Sequence, residues 1–275
     1  MGVVTQEWLV VTVPEGADIA VEWTGRGMLR LRLDIHTEAR ELAWGSVIRP
    51  GRALVYSLMD RVVPELGVEV HAQGWKPYGM VPFGYSAPVF PGAPRRRGVY
   101  ALGGPGMWEL GSPVLELVEA FGAALAGMPV LAWGATAFFV DAVHVVEAPS
   151  FSSGRAVFRT GTPVVLKGSG VGPSGVRETR QDWLLPGEPG WDLAFERNLR
   201  RKAETLGLDS GVVLERVTWV GPKRSFVVAG SAGAGGSKPG ACVEVEVSAD
   251  PEVLRALWVW GLGQANSTGF GWVCA

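Results

Sequence analysis

Proton transfer is the chemistry to which the histidines of this sequence are suited, and the chain has three of them, His36, His71 and His144. An unperturbed imidazole changes its charge between pH 5 and 8, which no other unperturbed side chain does. Tyr56 stands fifteen residues before His71, and Lys76 stands five residues after it. His71 is thus predicted to close the second helical stretch, with Tyr56 on the first and Lys76 in the turn that follows.

Each of these side chains also has a purely structural interpretation. Tyr56 lies in a helical pattern and would fill the core between a helix and a sheet. A cation at His71 would be favourable at the C-terminus of a helix. His144 lies within the strand pattern FFVDAVHVV, where we expect it to pack or to hydrogen-bond. His36 ends the first strand of the predicted domain and is a reserve candidate for catalysis.

A second candidate site is the glycine-rich segment near the end of the printed sequence, GLGQANSTGFG. Its glycines permit positive φ and a close approach of backbone to a ligand. Consecutive N–H groups in such a loop can bind a phosphate. The spacing differs from that of a Walker loop and from GxGxxG after a strand, so nucleotide hydrolysis and dinucleotide binding are not supported. The candidate ligand-binding residues of this loop are Gly261, Gly263, Asn266, Ser267, Gly269 and Gly271.

Metal sites and disulfides find little support in the sequence. Asp34, Glu38 and Glu41 lie near the first loop but lack the clustered spacing of a two-metal nuclease. Cys242 and Cys274 are the only cysteines, and they form no CxxC pair and have no histidine at ligand spacing. We therefore predict no metal and no cofactor.

The overall charge counts against a strong, non-specific nucleic-acid binder, because 25 basic and 27 acidic residues give a net charge of −2. A local basic surface is still predicted. Its candidate residues are Arg197, Arg201, Lys223 and Arg224. The first residues lack a basic leader, and no apolar run reaches about 18 residues, so we expect a cytoplasmic protein without a membrane span.

Hydrophobic periodicity divides the chain into two similar units. Residues 28–35 alternate as in a half-buried strand, and helical spacing follows from Pro50 and again from Pro64. A third helix begins at Pro113, and a strand or strand pair fills residues 130–146. The order strand, helix, strand, strand, helix, strand is that of the ferredoxin-like βαββαβ unit.

The second unit repeats this order. A strand is predicted over 156–167, an amphipathic helix over 191–206, three more strands, a helix over 251–260 and a last short strand. The prediction is an α+β protein of two tandem ferredoxin-like (βαββαβ, RRM-like) domains with a C-terminal glycine-rich loop. We assign 1–27 to an N-terminal extension of strands, 28–149 to the first domain and 150–275 to the second, with the loop at 261–271.

The loop resembles the signature GhGxxxxxGhG, with h apolar, of the sixth CRISPR-associated (Cas) protein family. These proteins are endoribonucleases of the repeat-associated mysterious protein (RAMP) superfamily. The segments SFSSGRAVFRTGTPVVL, LLPGEPGWDLAFERNLRRKAETL and GPKRSFVV are similar to the family's second domain, and the resemblance covers roughly residues 28–275. The family usually carries Lys or Arg at the loop centre, whereas this chain has Gln264 to Thr268.

The resemblance also implies an active site. One recognised arrangement in the family is a Tyr on the first helix, a His fifteen residues later and a Lys five or six residues beyond. Tyr56, His71 and Lys76 match that spacing. In metal-free RNA cleavage the ribose 2′-hydroxyl attacks its own phosphorus, and the protein manages protons and charge. His71 would exchange protons, Tyr56 would transfer a proton on the opposite side or hold the 2′-hydroxyl in line, and Lys76 would stabilise the developing charge.

The function implied is metal-independent cleavage of CRISPR repeat RNA, which leaves 2′,3′-cyclic phosphate and 5′-hydroxyl ends. The alternative is a non-catalytic RAMP subunit that binds CRISPR RNA within an effector complex. A third hypothesis, a small-molecule-binding α+β protein, explains neither the Tyr56, His71 and Lys76 spacing nor the second-domain match. Repeat RNA is the expected partner, and other Cas proteins or a second copy of the chain are further candidate partners.

Overall fold

The computed structural model describes residues 7–13, 17–23, 28–168, 183–228 and 236–274. Within these ranges the N-terminal elements are β1 (Glu7–Val13), β2 (Ala17–Trp23), β3 (Leu29–Thr37), β4 (Glu41–Leu42), α1 (Arg49–Val62), α2 (Pro64–Ala72), β5 (Gly84–Tyr85), β6 (Tyr100–Ala101), β7 (Gly104–Ser112), α3 (Leu115–Ala126), β8 (Val130–Trp133) and β9 (Thr136–Val146). The C-terminal elements are β10 (Arg155–Arg159), β11 (Leu166–Lys167), β12 (Trp183–Leu184), α4 (Trp191–Thr205), β13 (Val213–Val220), β14 (Arg224–Val228), β15 (Gly236–Gly240), β16 (Val243–Ser248) and α5 (Pro251–Trp260). Two short 3₁₀ turns lie at Trp44–Ser46 and Asn266–Thr268.

The first sheet has the strand order β5-β7-β3-β9-β8, and all of its pairings are antiparallel. With β3 counted first, β5 second, β7 third and β9 fourth, this is the ferredoxin-like order 4-1-3-2 with β8 added beside β9. Successive side chains of a strand point to opposite faces. Leu31, Leu33 and Ile35 of β3 are accordingly buried in the core under α1 and α3, and Arg32 and His36 lie on the other face. Strands β1 and β2 pair as a separate antiparallel hairpin within the N-terminal extension.

The second sheet repeats the topology. Its order is β10-β16-β13, and a bridge between Thr160 and Val273 places the last short extended segment beside β10. Helices α4 and α5 bury Phe195, Leu199 and Leu257 against its inner face. The prediction of two tandem ferredoxin-like domains is therefore confirmed, whereas the domain boundaries remain predictions.

One predicted strand is wrong in its length. The sequence predicted a single strand over 156–167, but β10 ends at Arg159 and β11 begins at Leu166. Pro163 has no N–H for a strand ladder, and the N–H of Gly161 donates to the carbonyl of Trp272 at 2.8 Å. The chain therefore leaves β16 at this point, and Leu166 pairs instead with Leu184 of β12.

None of the helices in these described ranges has both the length and the apolar character needed to cross a bilayer.

A buried arginine joins the two units. The guanidinium carbon of Arg30, whose side chain is 0% exposed, lies 3.9 Å from the ring centroid of Trp258 and 4.1 Å from that of Trp272. The guanidinium donates to the carbonyls of Val273 (3.0 Å) and Trp258, and Glu109 lies 3.5 Å away. Burial lowers the pKa of Arg30 to about 10, so the group is still charged at neutral pH. A planar cation between two aromatic faces is favourable where water is excluded.

Two paired glycines let the second unit approach this closely. Gly84 and Gly111 are partners across β5 and β7. A Cβ on Gly84 would lie 2.3 Å from the carbonyl oxygen of Trp260, and one on Gly111 would lie 2.7 Å from that of Val259. The C-terminal end of α5 therefore packs backbone against backbone on the first sheet, immediately before the glycine-rich loop.

We predict that Arg30→Leu lowers the free energy of unfolding by about 3–5 kcal/mol, because it leaves Glu109 without its cation and two carbonyls without donors. Urea denaturation measures this. Arg32→Leu is the matched control on the same strand, since Arg32 forms a surface ion pair with Asp34 (3.2 Å) and should cost less than about 1 kcal/mol. Equal losses for the two variants would contradict the role assigned to Arg30.

Candidate functional site

Tyr56 and His71 come together because α1 and α2 are consecutive helices broken at one residue. Val63 has φ −134° and ψ 59°, outside the helical region. Val63 precedes Pro64, and the proline ring disfavours the helical conformation in the residue before it. His71 lies in the last turn of α2. Its ring meets that of Tyr56 edge-on, with centroids 4.7 Å apart. The structure thus brings together two of the three residues predicted for catalysis.

The phenol of Tyr56 is largely buried beside Arg52. The ring packs edge-on against Phe83 with centroids 5.6 Å apart, and the hydroxyl is buried with no hydrogen-bond partner in the described part of the chain. Burial raises the pKa of Tyr56, and the positive charge of Arg52 opposes this rise. The phenol is therefore protonated at neutral pH and can donate a hydrogen bond.

Arg52 is a third member of this group that the sequence analysis missed. Its Nη2 atom lies 3.5 Å from Nδ1 of His71, and its guanidinium lies 5.6 Å from the ring centroid of Tyr56. Since arginine can only donate, Nδ1 of His71 is an acceptor in this contact and the ring hydrogen is on Nε2. The signal was present in the sequence, because Arg52 and Tyr56 are four residues apart and such residues share a helix face.

Lys76 is exposed in a hairpin closed by bonds between Trp75 and Met80, with Trp75 N donating to Met80 O at 2.6 Å and Met80 N to Trp75 O at 3.1 Å. In the part of the chain that the structure describes, Lys76 forms no hydrogen bond, ion pair or cation–π contact with Tyr56 or His71. The same hairpin carries Tyr78, whose hydroxyl donates to Glu204 of α4. The hairpin thus connects the end of α2 to α4.

The glycines of the loop are buried, and their conformations allow the loop to fold back on itself. Gly261, Gly263, Gly269 and Gly271 all have positive φ. A Cβ on Gly271 would lie 1.8 Å from the carbonyl oxygen of Leu262. The N–H of Leu262 in turn donates a hydrogen bond to the carbonyl of Gly271 at 2.8 Å. The glycines thus let the two ends of the loop cross in contact. Direct binding of RNA by these four residues remains a prediction.

Asn266 holds the crossed loop together. Its Nδ2 donates to the carbonyls of Leu262 (3.0 Å) and Phe270 (2.9 Å), and its Oδ1 accepts from Nζ of Lys202. Its side chain is 5% exposed, so both of its donor hydrogens are used inside the loop. Ser267 is half-buried and is the more accessible of the two predicted polar contacts.

A lysine side chain, which the loop sequence lacks, reaches the loop from α4. Lys202 is 2% exposed and reaches the loop at Asn266, and its Nζ lies 4.0 Å from the ring centroid of Trp260. Burial lowers the pKa of Lys202 well below its ordinary value. The sequence signal was the position of Lys202 on the same helix face as the buried Phe195 and Leu199.

The four basic residues predicted for binding do not form one cluster. Arg197 and Arg201 are exposed on α4, and Arg201 lies 5.2 Å from the ring centroid of Tyr78. Lys223 precedes β14 and Arg224 is its first residue. Both are exposed, and Arg224 lies 5.5 Å from the ring centroid of Trp44. Their binding role remains a prediction.

Two lysines that the sequence analysis did not select flank the other side of the loop. Nζ of Lys238 lies 5.9 Å from the ring centroid of Phe270, and the backbone N–H of Lys167 donates to Oε1 of Gln264 at 3.3 Å. Burial lowers the pKa of Lys238, and the nearby charges of Lys167 and Arg52 lower it further. Lys167 and Lys238 therefore lie near Arg52, the residue that contacts Tyr56 and His71.

The other two histidines lie on the open face of the first sheet. Nδ1 of His36 is 2.8 Å from Oδ1 of Asp141, and its ring stacks on Phe139 with centroids 4.9 Å apart. Nε2 of His144 is 2.9 Å from Oδ2 of Asp34. The carboxylate at His36 orients that ring and leaves its Nε2 available, so His36 keeps its place as the reserve candidate.

Comparison with protein families and solved structures shows which known proteins this chain resembles. Residues 146–274 match the family described as CRISPR associated protein Cas6, C-terminal. No curated protein sequence matches the chain. Among solved structures, a CRISPR associated protein Cas6 matches with a TM-score of 0.67 and 18% identity, over 90% of this chain and 98% of the other.

Two further structures share the fold. A Cas6-related protein from Pyrococcus furiosus matches with a TM-score of 0.69 and 13% identity, over 90% of this chain and 98% of its own. A RAMP protein that binds different RNA substrates matches with a TM-score of 0.71 and 15% identity, over 89% and 98%. At these identities the structural matches establish a common fold.

We predict that Asn266→Ala destabilises the protein by about 2–4 kcal/mol, because two buried carbonyls lose their donor and Lys202 loses its acceptor, at about 1–3 kcal/mol for each buried group left unpaired. Chemical denaturation measures the loss. Ser267→Ala, one residue along the same turn, should change stability by less than about 0.5 kcal/mol. A similar small change for Asn266→Ala would show that the amide does not hold the loop.

Proposed function

We propose that this chain is a metal-independent endoribonuclease for CRISPR repeat RNA. Its C-terminal family match and its tandem ferredoxin-like fold are those of a CRISPR-associated protein of the Cas6/RAMP type. The observation that carries the proposal is the contact of Tyr56, His71 and Arg52 at the C-terminal end of α2. A phenol, an imidazole and a guanidinium together supply the donor, the proton exchanger and the positive charge that RNA cleavage by its own 2′-hydroxyl requires.

The steps follow from what each group can do. The 2′-oxygen bonds to the adjacent phosphorus, its proton passes to a base, and the bond from phosphorus to the 5′-oxygen breaks as that oxygen gains a proton. A phosphate that draws Arg52 away frees Nδ1 of His71 to accept the 2′ proton. Tyr56, whose phenol is protonated, donates towards the leaving 5′-oxygen or holds the 2′-hydroxyl in line. The products are a 2′,3′-cyclic phosphate and a 5′-hydroxyl.

Charge placement supports RNA as the substrate in spite of the net charge of −2. Several arginines are paired with carboxylates on the outer face of the second sheet, as Arg159 is with Glu244 at 3.5 Å. By contrast, no ion pair of Arg52, Lys167 or Lys238 is present in the part of the chain that the structure describes. Basic side chains that lie together without carboxylate partners favour the binding of a polyanion. We assign these three side chains to the RNA backbone on either side of the cleaved phosphate. Lys76, on its exposed hairpin, would join them once RNA is bound.

The runner-up function is a RAMP subunit that holds CRISPR RNA without cutting it. Two observations favour it. Arg52 occupies Nδ1 of His71, and Lys76 forms no hydrogen bond or ion pair with Tyr56 or His71 among the described residues. The two functions share the binding surface and differ only in the chemistry, so one cleavage assay separates them.

For the enzyme, we predict that His71→Ala lowers the single-turnover cleavage rate by about 10²- to 10⁴-fold, because a proton-transfer group is lost. The assay uses the repeat RNA of the protein's own locus in chelator, with a copy bearing a 2′-deoxy substitution at the cut site as the uncleavable control. Tyr56→Phe keeps the ring packing and should slow cleavage without loss of stability. His36→Ala is the matched histidine control and should leave the rate within a few-fold.

The outcomes discriminate among the hypotheses. Unchanged cleavage in His71→Ala together with a large loss in His36→Ala would transfer the catalytic role to the His36 and Asp141 pair. Tight binding without cleavage of any RNA by the unaltered protein would favour the non-catalytic subunit. Absence of binding would overturn both functions.

We predict a separate effect on binding for the lysines beside the loop. The double variant Lys167→Gln, Lys238→Gln should weaken binding of the uncleavable RNA and reduce the slope of log K against log salt by about 1.4, at about 0.7 for each single-strand phosphate contact. Filter binding over a salt series measures the slope. The control is Arg159→Gln, Arg216→Gln, since both arginines are paired with glutamates on the far sheet face. An equal change in slope for the control would refute a local binding surface.

A further inference from the structure

The short hairpin at 75–80 extends from the end of α2 to the second domain. It is closed by the two backbone hydrogen bonds between Trp75 and Met80. Lys76, which the family spacing assigns to the active site, lies on this hairpin. His71 lies shortly before it, in the last turn of α2. The contacts that hold the hairpin in place therefore bear on two of the three residues predicted for catalysis.

The hairpin and the last turn of α2 are joined as one body. The N–H of Gly74 donates to the carbonyl of Val70 at 3.1 Å, so the hydrogen bonding of α2 runs directly into the hairpin. Gly74 has a φ of +63°, and a Cβ there would lie 2.3 Å from the carbonyl oxygen of Gly79. The two sides of the hairpin thus touch without space to adjust. A displacement of the hairpin is therefore transmitted to the turn of α2 that carries His71.

The second domain holds this hairpin at two points. The hydroxyl of Tyr78 donates to the carboxylate of Glu204 on α4, and the guanidinium of Arg201 lies 5.2 Å from the ring centroid of Tyr78. The hydrogen bond to Glu204 raises the pKa of Tyr78, so the phenol is protonated at neutral pH and can donate. Just after the hairpin, the carbonyl of Val81 accepts from Nε1 of Trp260 at 2.9 Å. Tyr78 and Glu204 are both exposed, so theirs is the contact that can be altered without disturbing the core.

Glu204 occupies a position that its own helix does not favour. Helix α4 ends at Thr205, and the C-terminal end of a helix carries a partial negative charge. A carboxylate in the last turn is repelled there, whereas a cation would be favoured. In the part of the chain that the structure describes, the contact made by the Glu204 carboxylate is the one with Tyr78. A local preference overridden in this way indicates a role beyond the helix itself.

We propose that Glu204 is a positioning residue, which acts through Tyr78 to fix the hairpin, and with it Lys76 and the end of α2, relative to the second domain. We call the hydrogen bond between Tyr78 and Glu204 the latch. The positioning role rests on the proposed function, since the geometry that the latch maintains is that of His71 at the cleaved phosphate. A displacement of about 1 Å at a reacting group can lower a rate by about 10²-fold. The latch thus lets the second domain set the geometry of a catalytic group on the first.

The test removes the latch from either side. Tyr78→Phe removes the hydroxyl and keeps the ring beside Arg201. Glu204→Ala removes the acceptor, whereas Glu204→Gln keeps an acceptor in its amide oxygen. The double variant Tyr78→Phe, Glu204→Ala completes a double-mutant cycle. Asp192→Ala is the matched control, because Asp192 is an exposed carboxylate in the first turn of the same helix, about three turns from Glu204.

Hydrogen exchange measured by mass spectrometry reads the latch without RNA. The reporters are the bonded N–H groups of Gly74, Trp75 and Met80. We expect Tyr78→Phe, Glu204→Ala and the double variant to exchange these amides about fivefold faster than the unaltered protein, because the hairpin opens locally once its tip is released. Glu204→Gln and Asp192→Ala should exchange at the rate of the unaltered protein.

Single-turnover cleavage at saturating repeat RNA reads the positioning role. Tyr78→Phe and Glu204→Ala should each lower the rate about fivefold, which corresponds to about 1 kcal/mol. The Kd for RNA with a 2′-deoxy substitution at the cut site should stay unchanged, since the latch contributes to geometry and not to binding. The double variant should be no slower than either single variant, because both remove the same bond. Glu204→Gln should restore the rate, which a loss of charge at this position would not allow.

Each outcome supports the latch or overturns it. Losses in the double variant that equal the product of the two single losses would show that Tyr78 and Glu204 act separately. Unchanged exchange in all variants would show that the hydrogen bond does not hold the hairpin. Faster exchange with an unchanged cleavage rate would refute the positioning role. If the unaltered protein cleaves no RNA, the enzyme proposal fails, and the exchange measurement alone decides whether Glu204 fixes the hairpin.

Discussion

The contact of Arg30 with Trp258 and Trp272 is the constraint on which the arrangement of the candidate site depends. One tryptophan precedes the glycine-rich loop and the other follows it, so a single guanidinium from the first sheet clamps both ends of the loop. Glu109, on the neighbouring strand, completes the clamp by accepting from Nε1 of Trp272 at 2.9 Å. A loop fixed at both ends by another domain cannot adjust independently, and its position relative to α1 is therefore set by this buried cation.

The loop is consequently a junction between domains. A Cβ on Gly269 would lie 2.8 Å from the ring of Tyr85 in the first domain, and one on Gly263 would lie 2.6 Å from the side chain of Val164 in the second. Because there is little space on either side, the backbone of the loop packs against both domains. The polar groups available to a ligand are therefore those of the side chains that contact the loop. Lys202 on one side and Lys238 on the other place beside the loop the lysine side chains that its own sequence lacks.

Sequence periodicity was sufficient for the fold because helices and strands repeat their apolar positions regularly. Periodicity does not predict the burial of a side chain that is covered by an element distant in sequence. Arg30 and Arg32 occupy equivalent positions in the same alternating strand, yet Arg30 is fully buried and Arg32 is half-exposed, because only Arg30 lies under α5. The pairing of Tyr56 with His71 was accessible from family spacing, whereas Lys238 reaches the site through the pairing of β14 with β15, which no local pattern reveals.

The distribution of charge is compatible with the RNA surface proposed for this acidic protein. On the open face of the second sheet, arginines and glutamates alternate and neutralise one another, as Arg216 and Glu246 do. Around the loop, the cations come from elements that are distant in sequence, and packing separates them from carboxylates. Net charge is a sum over the whole surface, but a phosphate within a Debye length of about 8 Å responds mainly to the charges beside it. A net charge of −2 therefore limits attraction of polyanions at long range, while Arg52, Lys167 and Lys238 can still attract a phosphate that comes close to them.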